Sequence, residues 1–343
     1  MITIRRSRLR GWALLGALLA AAGTAPPAEA QRPPAACASA REPDLAARLS
    51  RDITAALAGR AGTVAVAVHA PARGLRCRLD DTRRYDSASV AKVLILHAVL
   101  GRAAELGRRP TTLETRRLKA MITRSDNAAA AALWQGLSRA RLDRVLRAAG
   151  ARDTVPGHDR YWGLTRTTAR DQLALLAAVS RHPRALALMG QVVASQAWGV
   201  TAGAPRTVKV HLKNGWLPRA THGWRVHSVG IVRGTGSAAG AADYRMALLS
   251  HDNAVMSHGV RTLERVSAAV HRRLSGAPAA RGFTPESRIS ERPDGSAPPG
   301  RPGLLPLPER GPGPLPALAA GRPSRTAAAP RRAPRPPRNR RSG

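Results

Sequence analysis

One segment of this 343-residue chain limits its possible folds more than any other: SVAKVLILHAVLGRAAELG, residues 89–107. Its first three helical turns would carry apolar residues on nearly every side. A helix at a protein surface keeps a polar face, whereas a helix that is apolar all round is buried. We therefore predict that this helix lies in the middle of a domain, with Asp86 or Ser87 as its cap and Ser89 in its first turn.

The segments around this helix predict a sheet covered by helices on both faces. Helical spacing predicts a first helix at 43–59 and a last helix at 254–274. Period-two alternation predicts a hairpin and three later strands. These strands are 62–70, 74–80, 207–216, 223–234 and 243–251. A sheet that joins them would carry the first and last helices on one face and a block of helices on the other.

The helical block extends over residues 89–200. Thr111-Thr112-Leu113-Glu114 matches a capping box and predicts a helix to about residue 122. A short break at 123–127 precedes an alanine-rich helix. The segment 183–200 predicts the last helix of the block.

The two ends of the chain differ from the middle. Residues 1–30 combine a basic start, a short apolar run and a small-x-small site, which is typical of an export signal peptide. The apolar run is shorter than the roughly 20 residues that span a bilayer, so we expect no transmembrane segment after processing, although a retained anchor is the alternative. We expect a linker at 31–42, a folded domain at 43–276 and a disordered Pro/Arg-rich tail at 277–343, where large apolar residues are too few to offset the entropy of ordering.

The formal charge of +35 suggests an anionic partner. The chain is also rich in Ala, Gly and Pro, however, so much of its arginine reflects overall composition. A secreted protein meets no genome, and we expect no specific nucleic acid. Weak attraction to anionic cell-wall polymers remains an expectation, as does a monomer.

Lys92 is one of only four lysines in this arginine-rich chain and follows Ser89 by three residues. That spacing puts both side chains on one helix face, within reach of each other. A serine hydroxyl needs a base to become a nucleophile. A lysine whose neutral amine is accessible can take the proton, whereas an arginine cannot lose its own. The alternative is a buried lysine that only ties helices together.

Two further motifs contain rare residues of this chain. Ser125-Asp126-Asn127 lies in the predicted break between helices, where the serine could relay a proton and the asparagine amide could hold a substrate carbonyl. Lys213-Asn214-Gly215 ends a predicted strand, where the lysine could bind a substrate carboxylate. A glycine there would let a substrate lie against the strand, with the N–H of Trp216 available to an oxyanion.

The three motifs, in this order and with these elements, resemble the penicillin-recognising serine hydrolases and most closely the class A β-lactamases. The resemblance covers residues 43–275. It implies an α/β sandwich with a five-stranded antiparallel sheet, an all-helical lobe and a site in the cleft between them. It also implies roles for the motif residues: Ser89 as acylated nucleophile, Lys92 as base, Ser125 as proton shuttle, Asn127 and Lys213 as substrate contacts. The N–H groups of Ser89 and Trp216 would form the oxyanion hole.

The chain departs from the family pattern in ways that concern hydrolysis of the acyl-enzyme. Class A enzymes use a glutamate in a Glu-x-x-Leu-Asn loop ahead of a Thr-Thr helix start. Here VPGHDRYW precedes Thr167-Thr168 and contains no glutamate. His158 and Asp159 are the titratable residues nearby, and both are expected to be solvated loop residues. We therefore predict a secreted serine hydrolase, acting on a β-lactam, peptide, amide or ester, whose β-lactamase turnover is weak. A non-catalytic envelope-binding module and a tail-driven polyanion binder are the alternatives.

The remaining candidates are weaker. Cys37 and Cys77 either form a disulfide, which an exported protein permits, or remain as thiols. No metal-binding spacing occurs, so we expect no metal and no cofactor. Residues His211, His227 and Ser228 could line the cleft, but satisfied surface positions are favoured for them. Five tryptophans are expected in the core or in cleft walls rather than in a stacking platform: Trp134, Trp162, Trp198, Trp216 and Trp224.

Overall fold

The structure, a computed structural model, describes residues 34–240 and 243–276. The predicted signal peptide and the predicted disordered tail lie outside these residues. Within them, no helix has the length and apolar character needed to cross a membrane.

Six strands of the described residues form one antiparallel sheet, in the order β1-β3-β2-β8-β7-β6. They are β1 (Ala36–Ala38), β2 (Thr63–Ala70), β3 (Leu75–Leu79), β6 (Val208–Pro218), β7 (Trp224–Gly234) and β8 (Tyr244–Asn253). Two short strands, β4 (Tyr85–Asp86) and β5 (Arg166–Thr167), pair as a separate ribbon. The antiparallel α/β fold that we predicted is confirmed.

The predicted count of five strands is wrong by one, because β1 adds a sixth strand at the edge. This strand lies in the segment that we expected to be a linker. It pairs with β3 so that Cys37 lies directly opposite Cys77, and a disulfide joins the two. The three residues of β1 do not alternate between apolar and polar, so the sequence does not indicate a strand there. The disulfide and the pairing with β3 explain why this segment is ordered as a strand.

Eight α-helices of the described residues cover the two faces of the sheet. They are α1 (Pro43–Leu57), α2 (Ala91–Glu105), α3 (Thr112–Thr123), α4 (Asn127–Gln135), α5 (Arg139–Ala149), α6 (Ala169–Val179), α7 (Pro183–Met189) and α8 (Met256–Leu274). As predicted, α1 and α8 pack on one face, and the block from α2 to α7 lies on the other. Alternation along the strands separates these two cores: Ala65 and Ala67 of β2 face the block, whereas Val64 and Val66 face α1 and α8.

Helix α2 lies at the centre of the helical block, as its sequence predicts. Ten of its residues are buried, including Lys92. The predicted capping box is also present, because Thr111 Oγ1 accepts from the N–H of Glu114 while a Glu114 carboxylate oxygen accepts from the N–H of Thr111.

The single helix predicted at 183–200 is wrong in its second half. Helix α7 ends at Met189, and Gly190 follows with so little room that an added Cβ would lie 2.9 Å from Nδ1 of His211. Beyond it, the carbonyls of Gln196 and Trp198 accept hydrogen bonds from the side-chain amide of Asn214 on β6. Contacts with the sheet therefore take the place of helical hydrogen bonds in this segment.

Candidate active site

The turn that carries Ser89 is fixed at the start of the central helix. Ser89 is fully buried and lies in a 3₁₀ turn, Ala88–Val90, that leads directly into α2. Ala88 has a φ of 46°, a left-handed conformation that is uncommon for a residue with a side chain and is often found at functional sites. Just before it, the N–H of Ser87 donates to the carbonyl of Thr165 at 2.8 Å, next to the β4–β5 ribbon.

The other side of this turn packs against β6 at Gly215. A Cβ added to Gly215 would lie 2.7 Å from the backbone nitrogen of Ser89 and 2.9 Å from that of Val90. We expected this glycine to make room for a substrate, and the structure shows that the backbone of the turn itself occupies this room. Because Trp216 follows Gly215, the strand backbone that carries its N–H runs beside Ser89.

Lys92 joins the residues of the first two motifs. Its Nζ lies 2.9 Å from Ser89 Oγ, 2.9 Å from Ser125 Oγ and 2.7 Å from Asn127 Oδ1. It also donates to the main-chain carbonyl of Ser125 at 2.7 Å. Four residues that lie in two separate sequence motifs therefore form one buried cluster around a single amine.

The number of oxygens around Lys92 bears on proton transfer. An ammonium has three protons and no acceptor, so it cannot make a separate hydrogen bond to each of the four oxygens at Nζ. A neutral amine, with two protons and one lone pair, also makes three such bonds, but one of them can be accepted from a serine hydroxyl while it donates to two other oxygens. This arrangement allows a proton to pass between Ser89 Oγ, Lys92 Nζ and Ser125 Oγ.

The break between α3 and α4 positions Ser125 and Asn127. Ser125 has a φ of 55°, a second left-handed residue beside the amine. Asp126 caps α4, since its Oδ1 accepts from the N–H of Ala129 at 2.7 Å. Asn127 is the first residue of that helix. The middle residue of the motif therefore has a structural role, and it orients its two neighbours toward Lys92.

On β6 the third motif is split between the two faces of the sheet. Lys213 is fully buried, and its Nζ donates to the carbonyl of Asn214 at 2.6 Å. Lys213 and Gly215 lie on the face that meets the helical block, and Asn214 lies on the other. The Asn214 amide donates to Gln196 at 2.8 Å and to Trp198 at 3.1 Å. It therefore ties β6 to the segment after α7.

Trp162 contacts the amine, which the sequence did not indicate. Its ring centroid lies 4.6 Å from Lys92 Nζ, and the residue is 2% exposed. The face of an indole attracts a cation. Trp162 belongs to the segment just before the Thr-Thr helix start, and its position there is the only sequence signal for this contact.

The two titratable residues of the same segment point to solvent. The side chains of His158 and Asp159 are 70% and 83% exposed and contact each other at 3.2 Å. The prediction of solvated loop residues is confirmed for both. The Thr-Thr start is also formed, because Thr168 caps α6 by accepting from the N–H of Asp171 at 3.1 Å.

A buried polar group supports the nucleophile turn from behind. Asp86, three residues before Ser89, pairs with Arg225 at 2.9 Å, and its carbonyl accepts from Nε2 of His227 at 2.8 Å. Nδ1 of His227 accepts from the N–H of Ser250 at 3.2 Å, so the ring is held neutral with its proton on Nε2. Burial lowers the pKa of His227 to about 4. Only the three-dimensional fold brings these residues together.

The surface positions favoured for His211, His227 and Ser228 are wrong. His211 is 7% exposed and donates from Nδ1 to the carbonyl of Leu186 at 2.7 Å, while His227 and Ser228 are fully buried. Helix α7 covers His211, the segment after α7 covers Ser228, and strand β4 covers His227. The expectation for the tryptophans is confirmed, since Trp134, Trp162 and Trp198 are buried and Trp216 and Trp224 are half-buried.

Comparison with known proteins identifies the fold. Residues 107–274 match the family model described as "Beta-lactamase enzyme family". This range includes Ser125, Asn127 and Lys213 and begins after Lys92. No curated protein matches the chain.

Solved structures match over most of the chain. A class A β-lactamase from Bacteroides cellulosilyticus has 16% identity and a TM-score of 0.57, covering 68% of this chain and 99% of that protein. A β-lactamase from Streptosporangium roseum has 19% identity and a TM-score of 0.55, covering 67% of this chain and 99% of that protein. A β-lactamase from Sphaerobacter thermophilus has 18% identity and a TM-score of 0.56, covering 68% of this chain and 98% of that protein.

The described residues thus have the fold of class A β-lactamases. Together with the match to the family model, this fold supports a class A β-lactamase-like family for the chain. This family and fold support a function of the serine hydrolase type.

Proposed function

We propose that this protein is a serine hydrolase that forms an acyl-enzyme at Ser89. The observation that carries the proposal is the position of Lys92, whose Nζ is 2.9 Å from both Ser89 Oγ and Ser125 Oγ. A buried amine between two hydroxyls fits a base that activates one serine and passes the proton to the other.

The proposed acylation uses the side chains of the cluster in a fixed order. Lys92 takes the proton of Ser89 Oγ as this oxygen bonds to the substrate carbonyl carbon. The N–H groups of Ser89 and Trp216 bind the oxyanion that forms. The proton then moves through Ser125 Oγ to the leaving nitrogen or oxygen, so that the bond to the carbonyl carbon breaks and the acyl group stays on Ser89. Asn127 would hold a substrate carbonyl, and Lys213 a substrate carboxylate.

We further propose that the acyl-enzyme is hydrolysed slowly. The segment 155–165 brings Trp162 to the amine, and its titratable residues His158 and Asp159 are exposed. A positioned general base typically accelerates a step by about 10²–10⁴-fold. Without such a base in this segment, the adduct on Ser89 should persist. The substrate would be a β-lactam, a peptide, an amide or an ester.

We place this activity outside the cytoplasm, because the N-terminal sequence is typical of an exported protein. The net charge of +35 would then give a weak, salt-dependent attraction to anionic cell-wall polymers.

Incubation with a fluorescent penicillin, followed by intact mass over time, tests the proposal. We expect an adduct with the mass of one penicillin that forms on the wild-type chain, is absent in Ser89→Ala and decays slowly. Ser180→Ala is the matched control, because Ser180 donates only to the carbonyl of Ala177 and should leave labelling unchanged.

Three outcomes would contradict the proposal. Labelling that survives Ser89→Ala would rule out this serine as nucleophile. A wild-type chain that turns over the penicillin as fast as class A enzymes do would rule out slow hydrolysis. If penicillins, peptides and esters leave the wild-type mass unchanged and are themselves not hydrolysed, the non-catalytic binding module is favoured over the enzyme.

A further inference from the structure

Three metal-ligating side chains meet at the end of the sheet, away from the cluster around Lys92. His222 lies in the turn between β6 and β7, and His251 and Asp252 lie at the end of β8. One ligand atom from each residue lies within 4.8 Å of the other two. His222 precedes His251 by 29 residues in the sequence, so no short spacing motif indicates this cluster.

The backbone turns two of these residues toward the third. Neighbouring residues of a strand point to opposite faces, so His251 and Asp252 would normally diverge. Asp252 instead has a φ of 61°, and His222 also has a φ of 61°. The N–H of Asp252 donates to the carbonyl of His222 at 2.7 Å and ties the two segments together. Both left-handed residues therefore serve to bring the three side chains to one point.

The contacts within the cluster leave one buried nitrogen without a hydrogen bond. Nδ1 of His222 lies 2.8 Å from Asp252 Oδ1 in a hydrogen bond. Nδ1 of His251 lies 2.6 Å from Asp252 Oδ2 but makes no hydrogen bond, although it is buried in a residue that is 8% exposed. A buried polar atom without a hydrogen bond is costly and calls for a partner. That nitrogen and a carboxylate oxygen face each other without the geometry of a hydrogen bond, and a cation bound between them after a small separation would satisfy both.

The surroundings hold the ligands in place. Thr63 Oγ1 donates to Asp252 Oδ2 at 2.6 Å, as the outer partner of a metal-binding carboxylate commonly does. Arg225 donates to the carbonyls of Thr221 and Gly223, which flank His222. The charge of Arg225 is itself paired with Asp86 at 2.9 Å.

We propose that His222, His251 and Asp252 form a binding site for Zn²⁺. Two imidazole nitrogens and one carboxylate oxygen are a ligand set that zinc accepts at about 2.0–2.2 Å. Small movements of the side chains bring atoms that already lie within 4.8 Å of one another to that geometry. The side chains of His222 and Asp252 are 57% and 38% exposed, so the fourth position opens to solvent and would hold water.

The site would fasten the end of the sheet to the support of the nucleophile turn. The ring of His251 lies 4.8 Å from that of Tyr85, the first residue of β4, which precedes Asp86 and the turn. Bound zinc would therefore stabilise the folded protein without taking part in acylation. The site also does not depend on the function proposed for Ser89.

Calorimetric titration of the chelator-treated, tag-free full chain with Zn²⁺ tests this site. We expect one equivalent to bind and the thermal unfolding midpoint to rise with zinc concentration. Asp252→Asn keeps a residue that tolerates the left-handed conformation and removes the anionic ligand, and it should weaken binding by at least about tenfold. His222→Asn, at an exposed turn position, should do the same.

The controls separate this site from other sources of binding. His158→Ala removes an exposed histidine that also contacts an aspartate but lacks a second imidazole, and it should leave the affinity unchanged. Ser89→Ala should bind zinc as the wild type does, even where penicillin labelling fails. Absence of binding to the wild-type chain would overturn the proposal. The proposal would also be overturned if Asp252→Asn and His222→Asn keep the wild-type circular dichroism and bind zinc with the wild-type affinity.

Discussion

Lys92 and the many arginines of the chain carry the same charge but differ in what they can do with a proton. Lys92→Arg would keep a buried cation at the centre of the cluster, yet a guanidinium cannot accept the proton of Ser89. We expect the rate of adduct formation with a fluorescent penicillin to fall by about 10²–10⁴-fold, the usual contribution of a positioned base. Intact mass against time measures this rate.

Lys119→Arg is the control for that substitution, because Lys119 is exposed on α3. It should form the adduct at the wild-type rate. If Lys92→Arg also acylates at the wild-type rate, then Lys92 only ties elements together, which is the alternative interpretation of its position.

Gly215 offers a second residue-scale prediction, since it is glycine for a steric reason. Gly215→Ala would place a Cβ 2.7 Å from the backbone nitrogen of Ser89, and backbone cannot move aside as a side-chain end can. We expect a loss of about 1–3 kcal/mol in the free energy of unfolding, as in overpacked cores, and slower acylation. Urea unfolding and the penicillin assay measure the two effects.

A glycine in the neighbouring helix supplies the matched control. Gly101 lies in α2, and nothing lies within 4 Å of a Cβ added there. Gly101→Ala should stabilise the protein by roughly 0.5–1 kcal/mol, because alanine loses less backbone entropy in a helix. A Gly215→Ala variant that also gains stability would show that the turn has room to adapt.

The predictability of single residues depends on how rare they are in the chain. Lysines and asparagines are scarce, so Lys92, Asn127 and Lys213 stand out in the sequence itself. Trp162, Asp86 and Arg225 do not, because an aromatic residue and common charges carry no motif. Their contacts with the cluster or its supporting turn follow from the packing of elements that are remote in sequence.

At the scale of elements, strand β1 shows what a cross-link adds to three residues. The disulfide Cys37–Cys77 closes a loop over a sequence separation of 40 residues. Restricting the unfolded chain in this way contributes about 3–4 kcal/mol in the chain-entropy model. We expect the double variant Cys37→Ala, Cys77→Ala to lose that much in the free energy of unfolding.

Urea unfolding of oxidised protein with and without a reducing agent checks this value. The reductant should lower the stability of the wild-type chain and leave that of the double variant unchanged. If the wild-type chain shows no sensitivity to reduction, pairing of β1 with β3 would not depend on the disulfide.

Element types were predictable where a segment carries its own signals. The capping box at Thr111 marks the start of α3, Ser138 accepts from the N–H of Arg141 at the start of α5, and Gly150 ends α5 in a left-handed conformation. The segment 183–200 carries helical spacing on both sides of Gly190, and the predicted helix runs through this single glycine, which ends α7 in the structure. The path beyond Gly190 is set by the amide of Asn214, a contact with a strand that spacing alone does not reveal.

At the scale of the whole molecule, the candidate site exists only where three distant segments meet. The start of α2, the break before α4 and the edge strand β6 each contribute one motif. The order of elements predicted a sheet and a helical block, but no sequence spacing gives the 2.9 Å contact between Lys92 and Ser125. The resemblance to a family predicted that these segments converge, and the chemistry of each motif taken alone could not.

Stability of the whole fold should also depend on pH through a buried histidine far from the candidate site. His271 of α8 lies between the hydroxyl of Tyr244 on β8 and the carbonyl of Val200, which accepts from Nε2 at 2.9 Å. No charged group is among these contacts. Burial lowers the pKa of His271 to about 4, so the ring is neutral in the folded protein.

The pKa of His271 is about 4 in the folded chain and has its ordinary value of about 6.5 in the unfolded chain. Between these two pH values, His271 therefore carries a proton in the unfolded chain that it lacks in the folded chain. The free energy of unfolding should therefore be highest above that window and decrease as the pH falls through it, by roughly 3 kcal/mol from this residue. Urea unfolding of the wild-type chain and of His271→Gln across the window isolates the effect, with His158→Gln as the exposed control. The free energy of unfolding of the wild type should exceed that of His271→Gln by less as the pH falls toward 4. A difference that stays constant with pH would show that unfolding does not lead His271 to take up a proton.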